Sequence, residues 1–433
     1  MSGYDLKSLY NDQQYGKICS IWEMQKEDCN SNTISSGDYI YYMNSLYKEK
    51  HYTECLTLYK IFHHNYPELQ ILDDKMGWSL YQVYLKQFDD NQTDKELYLH
   101  QVEYIIRHHT DSLYSPFHKI IFTTVRLMLK GKLGSKVDYQ RADAYLSLIT
   151  PANLSDVPGY FNNGQDITRK TASEREIWYT LKSQCFLQQR KYDDCVIWCD
   201  KALHDLSQFV NHSDMWFRYR KIKALYLEGN VTEAAVALPD ILQGTVANWV
   251  IYALASAIMQ QQDDKEKTLL YAGYCALFDT SYEKRVKVYR RLVPVLYDMG
   301  EVRLAMLHRQ FTDILYKENN WSIRSWKLDW EVSQEIMTMP KKDILRELTS
   351  AWRTWRNQNK VFFKGIVKCI LPSGRDGFIT GEGNQDYYFK MRDVEFGRSH
   401  LQSGSHVRFT TCKRLNKKKQ REEENAIEIS VES

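Results

Sequence analysis

A mainly α-helical chain ending in a small five-stranded β-barrel is the fold class that this sequence predicts, on three observations. Over residues 1–335, aromatic and apolar residues recur at helical spacing, interrupted by short polar turns. Beyond about residue 360 the spacing changes to alternation, in runs too short for helices and bounded by turn residues. Charge changes in the same region. Residues 341–421 hold 19 Lys and Arg against 7 Asp and Glu, and residues 422–433 hold five Glu and no base, which leaves residues 1–340 at −4 within a net charge of +3. A mildly acidic body carrying a basic module is the footprint expected where one part of a chain meets nucleic acid.

The 433 residues, 43% of them hydrophobic, allow two or three domains with cores of their own. Nine cysteines, odd in number and set mostly in apolar helical patterns, predict a reducing, cytoplasmic setting. The opening MSGYDLKSLYNDQQYG has no basic-then-apolar leader, and no stretch approaches the roughly 18 uninterrupted apolar residues that a membrane span needs. A soluble protein without membrane contact is the expectation.

The first element, residues 1–335, repeats one theme at irregular intervals: an aromatic or apolar helix, a short polar turn, then a small residue opening a second helix. In YTLKSQCFLQQRKYDDCVIWCDKAL (179–203), Phe186 closes one helix, Tyr192 follows the turn, and Cys195, Cys199 and Ala202 share one face of the next. Leu46, Tyr52, Cys55 and Tyr59 repeat the theme. Further copies carry Tyr15 and Ile18, then Gly229, Val231 and Ala234, then Gly300, Val302 and Ala305. These units resemble tetratricopeptide repeats, in which a small residue lets the second helix approach the first and an aromatic fills the space between neighbours. The resemblance implies an α-solenoid whose concave face holds a protein partner. Segments 90–98 and 151–175 read as insertions or loops. The 31 tyrosines are assigned mostly to helix packing. Cys195 and Cys199 have an i,i+4 spacing that a metal accepts, but no second pair is near; both are assigned to the core, and neither metal nor cofactor is expected.

The second element, residues 336–360, is a linking amphipathic helix. Ile344, Leu348, Trp352 and Trp355 form one apolar stripe that docks on the solenoid or the barrel, while Lys342, Arg346, Arg353 and Arg356 fall largely elsewhere. Those arginines are then available for phosphates, or form a solvated face.

The third element, residues 361–433, contains five strand-like runs: VFFKGIVKCI, DGFIT, DYYFKM, HVRFTTCKR and NAIEISVE. Lys364, Gly365, Val367 and Lys368, then Gly377, Phe378 and Ile379, then Asp386, Tyr388 and Phe389 followed by Arg392, Asp393 and Val394, resemble the successive motifs of the cold-shock family of OB barrels. The resemblance implies that bases of a single strand stack on aromatic rings displayed on adjacent strands, each contributing about 1 to 3 kcal/mol. Phe378 and Tyr388 are the two platform positions it implies. Alternation puts Phe378 on the face of Asp376 and opposite Ile379. Lys364, Lys368, Arg375, Lys390, Arg392 and the loop cations Lys417, Lys418 and Lys419 are the phosphate contacts. The chain departs from the family pattern at Cys369 and Ile370, at Asp376, at Lys390 in place of histidine, and at Met391. Thinner stacking of this kind fits a single strand bound by two rings plus charge, a structured or double-stranded substrate, or a barrel that docks protein. The loop around Lys413–Arg421 reads equally as a phosphate clamp or a solvated hairpin tip.

No enzyme motif stands out: there is no G-x-x-x-x-G-K, H-E-x-x-H or G-x-S-x-G. Arg303 and His308 satisfy an R-x-x-x-x-H pattern seen in some helical ribonucleases, but Leu304 replaces the usual polar residue and the segment is already a repeat helix. The sequence therefore predicts a non-enzymatic adaptor, with a protein partner on the helices and single-stranded RNA or DNA, RNA first, on the barrel. The pairing of domains resembles accessory proteins of prokaryotic conflict and antiphage systems. The alternative is a pure protein scaffold.

Overall fold

The computed structural model describes residues 5–26, 34–109, 111–134, 136–162, 168–242, 248–322, 325–358, 360–396, 398–416 and 421–432. The chain forms two compact units, residues 1–247 and 248–433. The division falls within the run of paired helices, so the last helix pairs, the 341–357 helix and the barrel share one unit.

The first unit contains α1 (Leu6–Asn11), α2 (Tyr15–Gln25), α3 (Ser36–Lys48), α4 (Tyr52–Asn65), α5 (Asp73–Leu80), α6 (Lys95–His108), α7 (Pro116–Leu129) and α8 (Tyr139–Ser147). A short hairpin, β1 (Gly159–Asn162) with β2 (Thr168–Thr171), precedes α9 (Glu174–Gln188), α10 (Tyr192–Asp205), α11 (Ser213–Glu228), α12 (Val231–Ala237) and α13 (Pro239–Leu242). Two details differ from the sequence reading. The hairpin lies inside a segment expected to be loop, and residues 95–98, also expected to be loop, open α6, because Asp94 caps the N–H groups of Glu96 and Leu97.

The second unit begins with α14 (Trp249–Gln261), α15 (Lys265–Ala276), α16 (Val286–Asp298), α17 (Val302–Glu318), α18 (Gln334–Met337) and α19 (Lys341–Asn357). One turn geometry joins the pairs in both units. The residue two before the second helix is left-handed at Gln13 (φ 56°), Lys50 (65°), Arg190 (61°), Gly229 (104°), Asp263 (55°) and Gly300 (80°). The next N–H reaches back to close the first helix: His51 to Leu46 O at 2.8 Å, Lys191 to Phe186 O at 3.0 Å, Glu301 to Leu296 O at 2.9 Å. This fixed turn puts the fourth residue of each second helix in the interface. Ile18, Cys55, Cys195, Ala234, Thr268 and Ala305 occupy it, all at 0% exposure. Twelve residues earlier the first helix is in contact: the Cys195 thiol donates to Ser183 O at 3.4 Å, and the Ser256 hydroxyl donates to Thr268 O at 3.0 Å. The spacing between repeats wanders, but the turn and this packed pair do not. The chain is thus a tetratricopeptide-like helical array.

Four of the six turns place a side chain where glycine is preferred. A left-handed conformation costs a non-glycine residue about 1 to 2 kcal/mol, part of which glycine returns through unfolded-state entropy. Arg190→Gly is therefore expected to stabilise the α9–α10 pair by about 0.5 to 1 kcal/mol, read as slower amide exchange over residues 174–205.

The barrel comprises β3 (Phe363–Ile370), β4 (Asp376–Gly381), β5 (Asp386–Lys390), β6 (Val394–Phe396), β7 (His406–Asn416) and β8 (Arg421–Val431). Strand order is β5-β4-β3-β7-β8, and a parallel bridge between Tyr388 and Asn425 closes the ring; β6 adds in parallel to β8. Alternation supplies the core: Val367, Ile379, Phe389, Val407, Phe409 and Ile429 are at most 1% exposed. Gly377 faces inward, where a Cβ would stand 2.6 Å from the Phe389 ring and from Cys369 O, so only glycine fits that point of the motif. Five strands close the barrel as the sequence predicts.

Candidate nucleic-acid interface

The outward residues of three adjacent strands build one face. Lys364, Ile366 and Lys368 point out from β3, Asp376, Phe378 and Thr380 from β4, and Asp386, Tyr388 and Lys390 from β5. Register aligns them into rows: Asp376 opposite Lys390, Phe378 opposite Tyr388, Thr380 opposite Asp386. A bulge between Val367 and Cys369 sets Cys369 across from Phe378 on its other side. The Phe378 and Tyr388 rings meet edge to face, with centroids 5.7 Å apart. Both are half-buried, so each ring keeps a surface toward solvent. At one end of the face a cleft of about 450 Å³ is lined by Arg375, Asp376, Lys390, Met391 and Arg392.

Carboxylates interrupt this surface. Lys368 is ion-paired with Asp386, which also accepts from the Thr380 hydroxyl at 2.8 Å. The Lys368 hydrogen bond, then that of Thr380, holds Asp386 below the usual carboxylate range, and Asp386 in turn raises Lys368. Burial, then a hydrogen bond to Asp376, pushes the Tyr388 phenol up to about 12, so at neutral pH Tyr388 is a neutral donor. Sequence reasoning placed the cations and put Asp376 on this face, but missed the engagement of Lys368 by Asp386 and of Tyr388 by Asp376. Their engagement depends on cross-strand register, which alternation alone does not give. Next to Lys364 on the outer surface, its register partner Arg408 lies 4.1 Å from the Phe362 ring centroid. That cation was also missed; its pairing with Lys364 again follows only from register. Lys417, Lys418 and Lys419 lie outside the described residues.

The linking helix also departs from expectation. Ile344, Leu348, Trp352 and Trp355 are buried as the stripe requires. The arginines, however, are not all on a solvated face: Arg356 is 8% exposed and 3.8 Å from Glu428, which also pairs with Lys360. Arg346 pairs with Asp343 at 2.9 Å on its own helix.

His308 is fully buried. Its Nδ1 lies 2.8 Å from Leu304 O and its Nε2 accepts the Trp352 indole N–H at 3.0 Å, while Trp355 stacks on the ring. These partners fix the neutral tautomer with the proton on Nδ1. Burial pulls its pKa from 6.5 to about 4. Arg303 instead bridges Glu335 and Glu347 at the surface. Below pH 6.5 the unfolded chain binds a proton that the folded chain refuses until about pH 4. Stability present at neutral pH is therefore lost as pH falls through that window, by about 3 kcal/mol in full. Amide exchange of α17 at pH 7 and pH 4.5 is expected to show most of this loss in the native chain and little of it in His308→Gln.

Among the described residues no helix is long and apolar enough to cross a membrane, and no cluster of three His, Cys, Asp or Glu is placed to hold a metal. No family model matches the chain, and no curated protein matches it. Among solved structures it is similar to a tetratricopeptide repeat protein from Parabacteroides merdae ATCC 43184, at 10% identity and a TM-score of 0.30, over 70% of this chain and 97% of that one.

Proposed function

We propose that the chain is a non-catalytic adaptor that binds single-stranded nucleic acid, RNA first, on the outer face of β3, β4 and β5, and a protein partner through its helical repeats. The observation that carries the proposal is the Phe378–Tyr388 pair: two adjacent, outward, half-exposed rings on a closed barrel. Stacking on such rings reads any base, because every base has a π-face. Arg375, Lys390 and Arg392 stand at one end of the face and Lys364 further along β3 to meet phosphates, and Lys368 joins them on release from Asp386.

The resemblance of the KGIVK, DGFIT and DYYFK segments to cold-shock barrels supports the same reading. The protein-binding half draws on the tetratricopeptide-like array, and the resemblance in domain combination to conflict-system accessory proteins suits a chain that tethers nucleic acid for a separate effector in the cytoplasm. A second reading has an observation in its favour: Asp376 and Asp386 lie within the face and repel phosphate, which suits a barrel that docks protein. Fluorescence anisotropy of the full chain with a 12-nucleotide RNA, single-stranded and as a duplex, separates the two. Preference for the single strand supports the adaptor; binding of neither supports the docking barrel.

A further inference from the structure

The second unit holds a second and larger cleft, about 730 Å³, away from the two stacking rings. Its walls come from three parts of the sequence that no local motif links: the end of α15 and the segment after it, residues 349–356 of α19, and the start of β6 with the residues just before it. Four arginines line it, Arg285, Arg353, Arg356 and Arg392, and Asp279 is the one acidic residue among the described lining residues; Arg356 also lies 3.8 Å from Glu428.

Arg285 is the deepest of them, at 1% exposure. Its Nη1 donates to the carbonyls of Cys275, Ala276 and Phe278 at 2.7–3.0 Å, and its Nη2 donates to Thr280 O at 2.7 Å. It thus closes the C-terminal end of α15 with carbonyl dipoles as the hydrogen-bond partners of a buried full charge. Among the described residues its Nε has no hydrogen-bond partner, and neither has the buried Thr280 hydroxyl, which lines the same cleft. Buried polar atoms are seldom left unmade. A cluster of guanidinium groups around one concave surface focuses a positive field there, and the planar guanidinium fork matches phosphate oxygens two at a time. Leu277, Phe278 and Tyr282 give the cleft an apolar flank beside this charge, and its volume lies within the range of small-ligand sites.

Arg392 lines both clefts, the 730 Å³ one and the 450 Å³ one that also contains Lys390, two residues from Tyr388. A cationic path therefore leads from the stacking rings through Lys390 and Arg392 to the arginine cleft. We propose that this cleft binds the phosphate monoester of a nucleotide, either the phosphorylated end of a strand lying on the barrel or a free nucleoside monophosphate. The strand-end form rests on the nucleic-acid reading above; the free-nucleotide form does not.

Full-length protein is titrated with two sets of probes. One set is a 12-nucleotide RNA bearing a 5′-phosphate, a 3′-phosphate or hydroxyls at both ends, followed by anisotropy. The other is AMP, GMP, CMP and UMP against their nucleosides, followed by calorimetry. The expected result is at least a tenfold preference for the phosphorylated form in one set or both. Arg353→Gln, which lies in the cleft and outside the stacking face, is expected to remove that preference while leaving the affinity for hydroxyl-ended RNA unchanged. Preference among strands with weak mononucleotide binding identifies a strand end; binding of the mononucleotides alone identifies a free nucleotide. If no strand binds, the barrel reading fails by itself, and the cleft stands or falls on the mononucleotides. Equal affinity for phosphorylated and hydroxyl forms in both sets, or a phosphate preference that Arg353→Gln leaves intact, overturns the proposal.

Discussion

Trp352→Ala is expected to destabilise the packing of α15, α16, α17 and α19 by about 3 to 5 kcal/mol, the range for deleting a buried tryptophan. Trp352 is 1% exposed. Its ring stacks on Tyr289 with centroids 5.4 Å apart and lies 6.4 Å from Phe311. Its N–H is the donor that satisfies His308 Nε2. The α19 backbone passes so close to α15 that a Cβ on Gly273 would lie 2.6 Å from Trp352 O. Truncation thus leaves a cavity where three helices converge and a buried acceptor without its donor. Trp352→Phe isolates the second effect: most of the ring remains, and the orphaned histidine nitrogen costs about 1 to 3 kcal/mol. Amide exchange read by mass spectrometry should accelerate over residues 265–318 in the order Phe then Ala, with residues 174–228 of the first unit unchanged. Equal exchange in the alanine variant and the native chain would mean that α19 is not part of this core.

Phe378→Ala with Tyr388→Ala is expected to weaken single-stranded RNA binding by about 2 to 6 kcal/mol, from roughly thirtyfold to complete loss in an ordinary titration, since each stacked base contributes about 1 to 3 kcal/mol. Both side chains point away from the barrel core formed by Val367, Ile379, Phe389 and Phe409, so the fold should survive their truncation. Unchanged thermal unfolding of the double variant checks that. Asp386→Asn is expected to act in the opposite direction, because it removes a negative charge from the face and releases Lys368 from its ion pair.

Much of the fold is legible in the sequence, for reasons specific to each part. Five of the six helix pairs show in the sequence through the residue that opens the second helix and the one buried at its fourth position, a local signal even where the repeat length varies, whereas the left-handed turn shows only where it falls on Gly229 and Gly300. The barrel strands show because inward Val367, Ile379 and Phe389 alternate with outward Lys368, Phe378 and Tyr388, and because glycine is required where Gly377 meets the Phe389 ring. What the sequence hides is pairing at a distance. The engagement of Lys368 by Asp386 and the burial of Arg356 beside Glu428 depend on strand register and on where a helix docks. The arginine cleft is hidden for the same reason, since residues 276–285, 349–356 and 392–394 meet only in the folded unit. The paired strands Gly159–Asn162 and Thr168–Thr171 are too short to raise an alternation signal.

The most direct test of the account is the salt dependence of full-length protein binding to a short single-stranded RNA. Four cations on the barrel face and at its end, Lys364, Arg375, Lys390 and Arg392, predict that log K falls with log salt at a slope of about −3, at roughly 0.7 per phosphate neutralised on a single strand. The Phe378→Ala, Tyr388→Ala variant should keep a similar slope at much lower affinity, because charge remains while stacking is gone. No binding at low salt, or binding that is indifferent to both salt and the two rings, would contradict the barrel's role as a base-stacking module and leave it a protein-docking domain.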